Sequence, residues 1–173
     1  MLFGDIRKSK FKSSYKKIKK YLKPYIDDEK CNVEIVAVLI VVYDFAIFNT
    51  RDILNKYKER KRMANIMIPF ATKLADTDTD YLQKRMDFYG EFIRGKQPRC
   101  DFCFGDGKNT DNPLLRVIMA LGDVMYNTDL INNYDSGAVL IGDIFEGGKF
   151  AVIIKKVSEE IIFALDNATH HLW

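Results

Sequence analysis

Apolar positions recur three and four apart through most of the chain. Near the start, Phe11, Tyr15, Ile18 and Leu22 are spaced four, three and four apart, which puts them on one stripe of a helix with lysines on the other faces. Pro24 ends that element, because the residue before a proline is driven out of the helical region. Residues 33–48, "VEIVAVLIVVYDFAIF", show no such alternation. Their Val and Ile content favours a strand, but the run far exceeds the usual strand length of about five or six residues. It is predicted as a helix buried on every side.

Further along, Ile53, Leu54 and Tyr57, then Met67, Ala71 and Leu74, keep the helical period, with Asn49 or Thr50 as cap. Pro69 lies inside this segment and removes a backbone donor, which predicts a break or kink near Met63 to Ile68. "TDTD", residues 77–80, is a cap signal for a helix carrying Leu82, Met86, Tyr89 and Ile93 on one stripe, stopped by Gly95 and Pro98. Asn112 and Pro113 open another helix, whose inner face is Leu114, Val117, Ile118, Leu121, Val124 and Met125.

Two readings fit residues 138–157. A hairpin turning at Glu146-Gly147-Gly148 is one. A short helix followed by a long one from Lys149 is the other, and the period of Phe150, Ile153, Ile154, Val157 and Ile161 favours it. The predicted fold is all-α, an irregular bundle of five to seven helices with a Gly/Cys-rich loop at 97–112. A C-terminal hairpin would make it α+β. The predicted organisation is a basic amphipathic helical arm, 1–26, on a single helical domain, 27–173.

Charge sharpens that division. Residues 1–26 carry nine basic side chains against Asp5 alone, whereas the whole chain of 173 residues has a net charge of only +3. A basic arm on a mildly acidic body predicts an acidic partner. A second cluster, "KYKERKR" at 56–62, extends the basic surface if the two share a face, and Tyr15, Tyr21 and Tyr25 offer rings for stacking. The predicted contact residues are Lys12, Lys16, Lys17, Lys19, Lys20, Lys56, Arg60, Lys61 and Arg62. The uninterrupted apolar run Ile35–Tyr43 is nine residues long, against the roughly 20 that span a bilayer. With Glu34 and Asp44 at its ends it reads as a core element, and no signal peptide is evident. The expectation is a cytoplasmic protein without a membrane role, its three cysteines reduced.

Residues 100–107 read C-x-x-C-x-G-x-G. A two-residue spacer lets one tight turn present two thiolates to a metal, and glycine supplies the turn's positive φ angles. This string resembles one zinc-binding repeat of the DnaJ-type chaperones. Those chaperones use four paired repeats and this chain has one, so the resemblance implies half a zinc site and no chaperone activity. Cys31 with His170 or His171 can complete a set of Cys31, Cys100, Cys103 and His170, as can a second copy across a dimer. Two thiols in an ordinary turn, with Cys31 as a small buried residue, are the alternative. The cofactor expectation is therefore none, or one structural zinc.

No other constellation assembles. "GDGKNT" lacks the first glycine and the final Ser/Thr of a phosphate loop. There is no G-x-S-x-G elbow, and the histidines lie at the chain's end. Asp123, Asp129, Asp135 and Asp143 can serve a metal-dependent hydrolase only if their helices meet. The abundance of Lys, Asn, Ile and Tyr fits an AT-rich bacterial or phage genome. The predicted function is that of a small non-enzymatic binding or regulatory protein, inhibitor or adaptor in type. Its predicted partner is a protein or nucleoprotein complex. Direct nucleic-acid binding and metal-dependent hydrolysis are the alternatives.

Overall fold

A computed structural model describes residues 3–23, 29, 31–49, 53–95 and 113–127. These residues form α1 (Phe3–Leu22), α2 (Asn32–Asn49), α3 (Ile53–Arg62), a π-helical turn (Met63–Met67), α4 (Ile68–Ala75), α5 (Thr79–Ile93) and α6 (Pro113–Asn127). Among the described residues there is no strand, so the all-α expectation holds for them. The loop at 97–112 and the stretch at 138–157 lie outside the described residues.

The ten consecutive residues Glu34 to Tyr43 are all buried. Successive helical side chains step around the axis by a fixed rotation, so ten in a row cover every face. α2 is accordingly in contact with all five other helices. By length and composition it is the one described helix that is long and apolar enough to cross a membrane, with a mean hydropathy of 1.8 over 18 residues. Two-thirds of that stretch is buried within the protein instead.

α1, α4, α5 and α6 reach the core through apolar stripes. Phe11, Tyr15, Ile18 and Leu22 of α1 all join the main core cluster. The hydroxyl of Tyr15 donates to Asn32 Oδ1 at 2.6 Å, pinning α1 to the first turn of α2. The Phe11 ring meets Phe70 of α4 edge-on at 6.3 Å between centroids. Leu82 and Tyr89 of α5 and Val117, Ile118, Leu121 and Met125 of α6 fill the opposite side.

The termini of these helices follow local chemistry. Asp78 caps α5, its Oδ1 accepting from the Tyr81 amide at 2.7 Å. Gly95, at φ 76°, turns the chain out of that helix. Arg116 of α6 donates to the carbonyls of Phe92 and Ile93 at 2.7 and 2.9 Å, satisfying the end of α5 from a neighbouring helix. Thr50, one of the two cap candidates for α3, lies outside the described residues, and Asn49 is the last residue of α2. Its side-chain amide donates back to the Phe45 carbonyl at 2.8 Å and so closes α2.

Pro69 acts where its chemistry requires. It cannot donate to a carbonyl one turn back, and its ring presses on the carbonyl of Asn65. The chain widens just before it, and the Ile68 amide reaches Met63 O five residues back. α3 and α4 thus run on through a π-helical turn rather than ending. Leu39, at the centre of α2, is 1% exposed. Leu39→Ala is expected to destabilise the fold by about 2–5 kcal/mol, whereas Lys12→Ala stays within about 0.5 kcal/mol. Urea denaturation of both variants checks this.

Candidate functional site

The rod formed by α3 and the π-helical turn has two distinct faces. Glu59, Met63 and Met67 fall on one stripe and turn inward; Glu59 and Met67 are buried and Met63 is partly buried. Tyr57, Lys58, Lys61, Arg62 and Asn65 fall on the opposite face and are all exposed. The inner stripe is dictated by α2, which offers apolar surface on every side. The outer face is what remains.

Glu59 is the only acidic residue between positions 53 and 67, and it is only 3% exposed. Arg62 Nη1 donates to its Oε1 at 2.8 Å. The only negative side chain of the rod is thus held on the inner side, and the outer face keeps one sign of charge. Lys58, Lys61, Arg62, Asn65 and Ile66 line an open cleft of about 270 Å³. Tyr57 stands beside it, 73% exposed. The sequence period had placed Tyr57 on the apolar stripe. The structure turns it outward because Glu59 and Met63 set the inward face.

The predicted contact residues divide into three groups. Lys61 and Arg62 gather at the cleft, with Lys58 added. Lys56 and Arg60 are drawn aside: Lys56 Nζ lies 5.4 Å above the Phe48 ring, and Arg60 Nε meets Asp44 Oδ1 at 3.3 Å. Both Arg60 and Asp44 are well exposed, so this pair contributes at most about 1 kcal/mol and mainly sets the angle of α3 on α2. The third group is on α1. Lys12, Lys16, Lys17 and Lys20 are exposed, and Lys19 Nζ sits 5.5 Å above the Tyr15 ring. α1 is anchored at Asn32 and α3 at Asp44, positions about 18 Å apart along the axis of α2. Tyr15, buried and bonded to Asn32, is committed to the core.

Cys31 is wholly buried in the main cluster at the start of α2. Cys100, Cys103, His170, Asp129, Asp135 and Asp143 lie outside the described residues, and Asp123 belongs to α6. Among the described residues no three His, Cys, Asp or Glu side chains converge to hold a metal.

A second polar constellation joins α2 to α5. Glu34 is 6% exposed. Its Oε2 accepts from Arg85 Nε and Nη2 at 3.1 and 2.8 Å and from the Tyr89 hydroxyl at 2.5 Å. The Arg85 guanidinium also stacks 4.5 Å from the Phe88 ring centroid. Burial pushes the Arg85 pKa down, but the hydrogen bond and negative charge of Glu34 outweigh it, and the net shift is upward. Burial, reinforced by the Glu34 carboxylate, holds the Tyr89 hydroxyl well above its ordinary value of 10.0. The three groups satisfy one another and act as a fastener. Sequence reasoning had no route to them, because the partners are 51 and 55 residues apart and Tyr89 sat on a stripe that already explained it.

No protein family matches the chain, and no curated protein or solved structure resembles it to a significant degree.

The fastener carries a pH signature. A raised folded-state pKa means that Tyr89 keeps its proton after the unfolded chain has lost it. The stabilisation is complete below pH about 10, the unfolded value for tyrosine, and is lost as pH climbs toward the folded value. Tyr89→Phe is expected to cost about 1–3 kcal/mol at neutral pH and to show a smaller alkaline loss than the parent chain. Equal alkaline slopes in the two proteins would contradict this reading.

Proposed function

We propose that this is a non-enzymatic binding protein, of inhibitor or adaptor type, that docks on an acidic protein or nucleoprotein partner in the cytoplasm. The observation that carries the reading is the single-signed outer face of α3 and the π-helical turn. There Lys58, Lys61 and Arg62 surround one cleft while Glu59 is withheld from it. The exposed rings of Phe48 and Tyr57 support the same reading, since aromatic side chains and arginine are enriched where proteins bind. The rigid rod behind the face supports it too, because ordered cations lose little freedom on docking.

The sequence offers the α1 lysines together with Lys56 to Arg62 as the contact surface. The α3 face takes precedence here because the exposed Tyr57 ring stands beside its cations, whereas Phe11 and Tyr15 of α1 are buried in the core. Reversal of Lys58 and Lys61 to Glu places like charges against an acidic partner, which costs several kcal/mol. Quantitative capture of a purified partner by the full chain is therefore expected to fall at least about tenfold in Lys58→Glu/Lys61→Glu. It should persist in Lys16→Glu/Lys17→Glu/Lys20→Glu. Undiminished capture by the α3 variant would overturn the assignment of this face.

A further inference from the structure

We infer that the outer face of α3 and the π-helical turn takes single-stranded nucleic acid. The inference rests on the docking role proposed above and names the partner's chemistry. Three features of the face point to it. The first is uniform sign. Lys58 and Lys61 present positive charge outward, while Glu59 is turned into the core and holds Arg62 at the rim. Asp44 neutralises Arg60 alone, on the side facing α2. A folded protein surface offers mixed charges, whereas a phosphate backbone offers one sign along its length.

The second feature is linear arrangement. Lys61 and Asn65 follow Lys58 and Lys61 by three and four residues, so neighbouring positions lie about 5–6 Å from one another on the helix surface. Together they form a strip about 10 Å long. That geometry follows a chain of charges rather than enclosing a single anion. The amide of Asn65 adds a donor and an acceptor suited to a base edge.

The third feature is Tyr57. A tyrosine 73% exposed in the midst of cations contributes nothing to the core. Stacking on a base is the use such a ring has beside a phosphate-binding strip, and it needs a base with an open π-face. In a duplex the internal bases are stacked on one another, so the ring selects an unpaired strand.

The test is fluorescence anisotropy of a labelled single-stranded oligonucleotide of about 20 nucleotides, with the same sequence as duplex, titrated with the full chain. Two phosphate contacts, at Lys58 and Lys61, predict that affinity for the strand falls about sevenfold between 50 and 200 mM salt. In Lys58→Gln/Lys61→Gln, with Arg62 held by Glu59, the fall should nearly disappear. Tyr57→Ala should weaken strand binding by roughly fivefold or more, with no matching loss on the duplex. Circular dichroism of each variant checks that the fold is kept.

The absence of strand binding at 50 mM salt would overturn the inference. So would equal affinity for strand and duplex, or binding unchanged in Lys58→Gln/Lys61→Gln. If a purified protein partner survives nuclease treatment and is still lost in Lys58→Glu/Lys61→Glu, while the oligonucleotide does not bind, the docking role stands and the nucleic-acid assignment falls. If neither ligand depends on the face, both fall.

Discussion

The structure is organised by the need to enclose α2. From Glu34 to Tyr43 no residue of this helix faces solvent. Burying a large aliphatic side chain is worth roughly 1.5–3 kcal/mol, so the seven Val, Leu and Ile side chains among the eight residues Ile35 to Val42 strongly favour any arrangement that covers them. The cover has to come from every direction, and α1, α3, α4, α5 and α6 each supply one side. The polar groups at the ends of the run are handled separately. Glu34 is held by Arg85 and Tyr89, and Asp44 reaches the surface to meet Arg60. A hydrophobic helix thus fixes the neighbours' rotation, and its two carboxylates fix their position along it.

That constraint explains how the basic face arises. α3 must turn Glu59, Met63 and Met67 inward to continue the cover of α2. The helical period then leaves Lys58, Lys61 and Asn65 outward, with Arg62 bridging the rim to Glu59. The π-helical turn before Pro69 lets the rod continue into α4 without breaking this orientation. The docking surface proposed for the protein is the other side of a packing solution, held by a core it does not belong to.

Much of the fold was legible because its signals are local. The spacing of Phe11, Tyr15, Ile18 and Leu22 marked the buried stripe of α1, the cap signal at Asp78 marked the start of α5, and Pro69 marked the distortion at Met63–Met67. α2 was legible through length, since its composition alone reads as strand. The site was less so. Tyr57 fits an apolar period as well as Met67 does, and only the competing claim of Glu59 and Met63 on the inner face turns it out. A buried glutamate within a basic run looks like one more surface charge in sequence. The Glu34–Arg85–Tyr89 cluster needs two helices brought together from distant parts of the chain. The anchoring of α1 at Asn32 and of α3 at Asp44 likewise depends on contacts between different helices.

The most direct measurement of the central claim is lysine footprinting. The full chain would be acylated briefly, free and saturated with a single-stranded oligonucleotide, and the modified positions read by mass spectrometry. The account predicts that Lys58 and Lys61 become protected while Lys73 and Lys84, exposed on α4 and α5, react as before. Protection confined to Lys12, Lys16, Lys17 and Lys20, with Lys58 and Lys61 unchanged, would contradict it and move the contact surface to α1.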